Sequence, residues 1–164
     1  MEMKKSTSDA IVKSQIELCE AELNRQTTLL GLDHPDLAKP LGMLGLLHQH
    51  MAKNPERAIA YHEEAKRVLC LALQNVRKEE GQECYRYSER RKKLTENLAA
   101  TVTDIAFIHE KNGLARIAKE EFAEAHKLLL SIKCSEKHIL LESCERGFDR
   151  TCRSPCEKIT NPCA

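Results

Sequence analysis

Two stretches of this chain, beginning 61 residues apart, share one layout: Leu41-x-x-Leu44-Gly45-x-x-His48 and Val102-x-x-Ile105-Ala106-x-x-His109. Each is followed by a second pattern of small, aromatic and small residues. These read Ala58-x-x-x-His62-x-x-Ala65 and Ala118-x-x-x-Phe122-x-x-Ala125. Apolar residues spaced three and four apart describe one face of a helix. Small residues at fixed places let two helices approach closely while larger neighbours fill the gaps. The unit is therefore a pair of antiparallel helices joined by a short turn, occurring twice. Abundant Ala, Leu, Glu and Lys and only 4% aromatic residues agree with an all-α chain, and no strand pattern competes.

Punctuation places the remaining helices. Residues 8–30 carry Ile11, Val12, Ile16, Cys19, Leu23, Leu29 and Leu30 at helical spacing, and Gly31 is a suitable left-handed stop. Pro35 and Asp36 restart the chain, with Asp33 and Asp36 expected to supply turn and capping oxygens, into a helix over 36–52. Asn54 and Pro55 open a third helix reaching about 79 and ending at Gly81. A fourth is expected over 84–111 and a fifth over 115–132, the latter with Ile117, Ala118, Phe122, Ala125 and Leu129 inward. The excess spacing between the two units falls in 74–95, as an extended helical hairpin or a loop. A short helix over 135–146 ends the pattern, because Gly147, Pro155 and Pro162 then argue for a loose end. The reading is an all-α helix-hairpin domain over 8–132, followed by a cysteine-rich, flexible tail over 133–164.

Several chemistries find no support in the residues. Lys and Arg number 26 against 25 Asp and Glu, so the net charge of +1 exerts no general pull on nucleic acid or membrane. No apolar run spans a bilayer, and the charged N-terminus lacks the apolar run of a signal peptide, so a cytoplasmic location is expected. There is no G-x-S-x-G, Walker loop or H-E-x-x-H, so neither an enzyme nor a cofactor is expected. His34 beside Asp33 and Asp36 reads as a turn, not as a polarised base. His48, His62 and His109 occupy aromatic places in the repeated pattern, so they read as packed rings, not as metal ligands. Of 8 cysteines, Cys134, Cys144, Cys152, Cys156 and Cys163 crowd the C-terminus in spacings that match no zinc knuckle. A zinc site and a disulfide-tied tail are the alternatives there. The basic run Arg90 to Lys93 reads as a solvated face.

The repeated pattern resembles a tetratricopeptide repeat. The stretch Gly31-x-Asp33-His34-Pro35-Asp36-x-Ala38 is similar to the linker in repeats of the kinesin light chain and nephrocystin-3 type. The paired Asn residues common early in that family's first helices are replaced by Gly42 and Met43 in one unit and Thr103 and Asp104 in the other. The resemblance implies an α-solenoid of about two and a half repeats whose concave groove binds a protein or peptide partner. Groove positions would be Lys39, Gly42, Met43, Leu46, Gln49 and His50, then Ala100, Thr103, Asp104, Phe107, Glu110 and Lys111. Met43, Leu46 and Phe107 would supply apolar contact, and Lys39, Gln49 and Lys111 polar orientation. A structural role in a larger, cytoskeletal or ciliary, assembly is the alternative, because residues 8–30 would be a second helix without its first, open to self-association or docking.

Overall fold

A computed structural model describes residues 3–79, 84–132 and 139–153, and every element in them is helical. The order is α1 (Met3–Leu30), a 3-10 turn (Pro35–Leu37), α2 (Ala38–His50), α3 (Pro55–Glu79), α4 (Cys84–Lys111), α5 (Ala115–Ser131) and α6 (Ile139–Arg153).

The turn between α1 and α2 shows how local chemistry sets the path. Gly31 takes φ 85°, ending α1 as expected. The cap is not an aspartate, however. His34 Nδ1 accepts the Asp36 backbone N–H at 3.2 Å, and Pro35 occupies the first position of the 3-10 turn. α2 therefore starts at Ala38, two residues later than expected. Asp33 faces Arg67 of α3 instead, at 2.6 Å, while Arg67 also donates to the Leu32 carbonyl. The "DHPD" segment is a cap and a tether. At α3 the expectation holds: Arg57 N–H donates to Asn54 Oδ1 at 3.1 Å, and Pro55 opens the helix.

Paired contacts fix the directions of the helices. Leu37 and Leu41 pack on Ala65 and Val68, and His48 stacks on Tyr61 at 5.4 Å. α2 and α3 therefore form an antiparallel hairpin. α4 and α5 form another, with Phe107 edge-on to Phe122 at 5.1 Å and His109 Nδ1 at 2.8 Å from Glu121. α3 and α4 also pair beyond the two repeated units: Val76 and Leu94 belong to one buried cluster with Leu69, Leu98 and Val102. The extended-hairpin reading of 74–95 is thus the observed one, although Gly81 and its neighbours lie outside the described residues.

The C-terminal helix differs from expectation. α6 runs through Gly147 to Arg153, and Leu141 and Cys144 join the main core. Gly147 is not a helix stop here. It lets the backbone of α6 lie on the ring of Phe122, where an added Cβ would collide with the ring. Gly45 of α2 does the same over His62 of α3. A further correction concerns Ile11, Leu29, Leu30 and Ile117, which the periodicity assigns to apolar faces but which are exposed.

The core also holds two polar rings. His48 and His62 are buried, and among the described residues no group bonds their ring nitrogens. Burial holds the His62 pKa down at about 4. An unfolded chain binds that proton near 6.5, so the stability this site supplies is full above pH 6.5 and is lost as pH falls toward 4.

Two outcomes follow. Gly45→Ala and Gly147→Ala should each destabilise by about 1–3 kcal/mol in urea titrations, because a methyl group has no room. Gly42→Ala, with open space around it, should instead stabilise by about 0.5–1 kcal/mol. In an NMR titration the His62 ring should stay neutral from pH 7.5 to about 5; a midpoint near 6.5 would contradict the buried ring.

Candidate functional site

A cleft of about 810 Å³ opens between the C-terminal end of α1, the outer face of α2 and the middle of α4. Its floor comes from α2, where Lys39, Met43 and Leu46 recur at helical spacing. Met43 is 48% exposed and Leu46 36% exposed. Large apolar side chains in solvent on a concave surface mark a site that gains from being covered. One wall is Leu29 and Leu30 of α1, with Arg25 above them. The other is α4, where Lys93, Asn97 and Ala100 lie one helical turn apart. With Arg25 paired to Glu22 and Asp36 the single carboxylate in the lining, Lys39 and Lys93 leave the cleft with a net positive character.

The expected groove residues divide into two groups. Lys39, Met43 and Leu46 line the cleft together. Gln49 and His50 follow on α2 but outside its lining, Gln49 half-buried and His50 exposed. Of the second set, Ala100 lines the α4 wall of the cleft, while Thr103 and Phe107 are covered. Thr103 is 2% exposed. Its hydroxyl donates to the Ala99 carbonyl at 2.7 Å and lies 3.3 Å from Cys144 Sγ of α6. Phe107 sits against Phe122 with the Arg150 guanidinium 5.6 Å from its ring centre. Arg150 in turn makes a two-pronged pair with Glu110, at 2.7 and 2.9 Å. Thr103 and Phe107 are therefore not open groove positions in this structure: α6 packs parallel to α4 and takes the place the expected partner would fill. Lys111 is exposed beyond this contact.

Asp104 stands apart. It is half-buried, with neither an ion pair nor a hydrogen bond among the described contacts, and burial pushes its pKa up to about 6. Holding an unpaired carboxylate away from water is unfavourable. Glu121 is likewise pushed up by burial, but it has His109 beside it.

Lys93 reads in the sequence only as the end of a basic run on a solvated helix, and Asn97 carries no reading at all. The signal for them is the 93, 97, 100 spacing, which continues the Asp104 face three turns toward the N-terminus. Leu29 and Leu30 were misplaced because periodicity separates faces but does not say which face is covered. Of the C-terminal cysteines, Cys144 is buried and Cys152 exposed, while Cys134, Cys156 and Cys163 lie outside the described residues. Among the described residues no three His, Cys, Asp or Glu side chains converge as metal ligands, and no helix is long and apolar enough to cross a membrane.

Asp104→Asn should raise stability at pH 7 by on the order of 1–2 kcal/mol, since the ionised form is the disfavoured one. The folded state binds the Asp104 proton near pH 6 and the unfolded chain only near 3.8. The advantage of the variant should therefore shrink as pH falls through 6 and vanish near 4. Urea midpoints of both proteins across that range check it, and the acid loss caused by His62 should be steeper in the variant, where Asp104 no longer opposes it. Compared with known proteins, the chain matches no family model and no curated protein.

Proposed function

We propose that this chain is a protein-interaction module of tetratricopeptide type, and that the cleft between α1, α2 and α4 holds a segment of a partner protein. The observation that carries this reading is the pair Met43 and Leu46, two exposed apolar side chains on the floor of an 810 Å³ cleft. A bound segment, helical or extended, covers them and the flanking Leu29. Affinity in such a groove comes from a few buried apolar anchors, and charge at the rim sets orientation and encounter rate. With Lys39 and Lys93 at the rim, a segment carrying acidic residues beside its apolar anchors is the best match. The two similar hairpins agree with a solenoid architecture, in which α6 stands as a terminal first helix. On this reading α6 shortens the groove to its first half, so the binding residues are Lys39, Met43, Leu46, Leu29 and Lys93.

The test is selection of binding peptides from a random display library against the wild-type chain, followed by titration. Met43→Glu with Leu46→Glu should weaken the selected peptides by at least about tenfold, the scale of losing a buried anchor. Circular dichroism and the denaturation midpoint verify that the variant stays folded, since both side chains are only partly exposed. Undiminished binding by this variant would remove the cleft from consideration.

A further inference from the structure

Among the described residues, α1 is held on one side. Leu23 packs on Leu37 and Leu41, and Tyr61 donates to Glu20 at 3.0 Å. On another face of the helix, Leu18 and Leu29 are each 68% exposed. Glu22 and Arg25 lie between them, giving spacings of four, three and four along a single stripe, the interval of helix-pairing positions. Ser14, Ala21 and Thr28 border this stripe and are exposed as well. Such small residues let a second helix come close.

The order of the stripe is its informative property. Leu, Glu, Arg, Leu becomes its own complement when the helix is reversed. If a copy is turned antiparallel about a two-fold axis at the middle of the stripe, Leu18 meets the other copy's Leu29. Glu22 then meets the other copy's Arg25, and each contact occurs twice. A parallel arrangement would instead set Glu22 on Glu22 and Arg25 on Arg25, and like charges face to face are strongly disfavoured.

We propose that this face of α1 is an isologous interface, binding α1 of a second copy of the same chain in the antiparallel sense. Charge argues for a copy over an unrelated partner. Arg25 already neutralises Glu22 within one helix, at 2.7 and 2.8 Å. The stripe therefore carries no net charge to attract a charged ligand, while a two-fold pairing joins the four groups into one neutral cluster. Residue i meets j and j meets i, as a two-fold contact requires. The contact is short, below the standard interface size, so its affinity is expected on the order of 10 µM. It shares Leu29 with the peptide reading, so the two occupants compete for that side chain, while Leu18 belongs to the pairing face alone. Arg25 and Leu29 do line the cleft edge, so pairing brings a second helix to its mouth.

Sedimentation equilibrium of the full chain from about 5 to 200 µM tests the proposal. The wild type should pass from monomer to dimer across this range. Leu18→Glu and Arg25→Glu should each weaken dimerisation by at least about tenfold. The double change Glu22→Arg with Arg25→Glu should restore it, because the stripe is again its own complement. All three sites are on the outside of α1, and circular dichroism verifies that helix content is kept. A wild type that stays monomeric at the highest concentration would leave the face to another protein and overturn the proposal. So would a dimer that survives Arg25→Glu, or one that the double change fails to recover. Peptide binding with dimerisation absent, or the reverse, separates this proposal from the cleft reading.

Discussion

Ring-under-backbone contacts at two helix crossings set the spacing of the whole domain. At one crossing His62 of α3 lies beneath Gly45 of α2; at the other Phe122 of α5 lies beneath Gly147 of α6. Each needs a residue without a side chain over a planar ring, and each brings helix axes close enough for the Leu, Val and Ala residues around it to interdigitate. The first builds the hairpin that presents Met43 and Leu46. The second seats α6, which is why Thr103 and Phe107 become interior residues and the accessible cleft is confined to the α1 side. Site geometry thus follows from where the chain places two glycines.

The helices themselves were plain in the sequence, since the 3.6-residue period, Asn54, Pro55 and Gly31 act locally. What was hidden depends on pairing. Gly147 reads locally as a stop, and only the Phe122 ring beneath it explains why the helix continues. Thr103 occupies a surface-type position in its own helix and is buried only because Cys144 arrives 41 residues later. Similarly, Leu29 and Leu30 are apolar in a helical pattern, yet they face solvent. Periodicity assigns faces; tertiary contact decides which face is covered. The first half of the cleft was legible because it lies on one helix. Of its walls, Ala100 in the middle of α4 was legible, whereas Lys93, Asn97 and the α1 wall were not.

Polar groups inside the domain are arranged in two ways. His109 and Glu121 meet across a hairpin at 2.8 Å, and Tyr61 ties α1 to α3 through Glu20. His48, His62 and Asp104 have no such partner among the described contacts. The histidines are acceptable as neutral rings, because a flat ring fills the space between helices and burial keeps it uncharged at neutral pH. Asp104 has no such escape while ionised. It is the one described carboxylate pushed up as far as about pH 6 without a partner beside it, and it continues the α4 face that walls the cleft.

The unequal rings beneath the two glycines bear on how the chain avoids assembling wrongly. Neighbouring hairpins of similar sequence are prone to exchange places during folding. Here the two sockets are not interchangeable. His62 is capped by a helix thirteen residues long, whereas Phe122 is capped by α6, held in line by Arg150 on Glu110. Gly45 and His62 lie in one hairpin and stay together wherever that hairpin is placed, whereas Phe122 and Gly147, like Glu110 and Arg150, are parted if α6 docks elsewhere. The contact beneath Gly147 therefore carries information about the order of the elements that a contact within one hairpin does not.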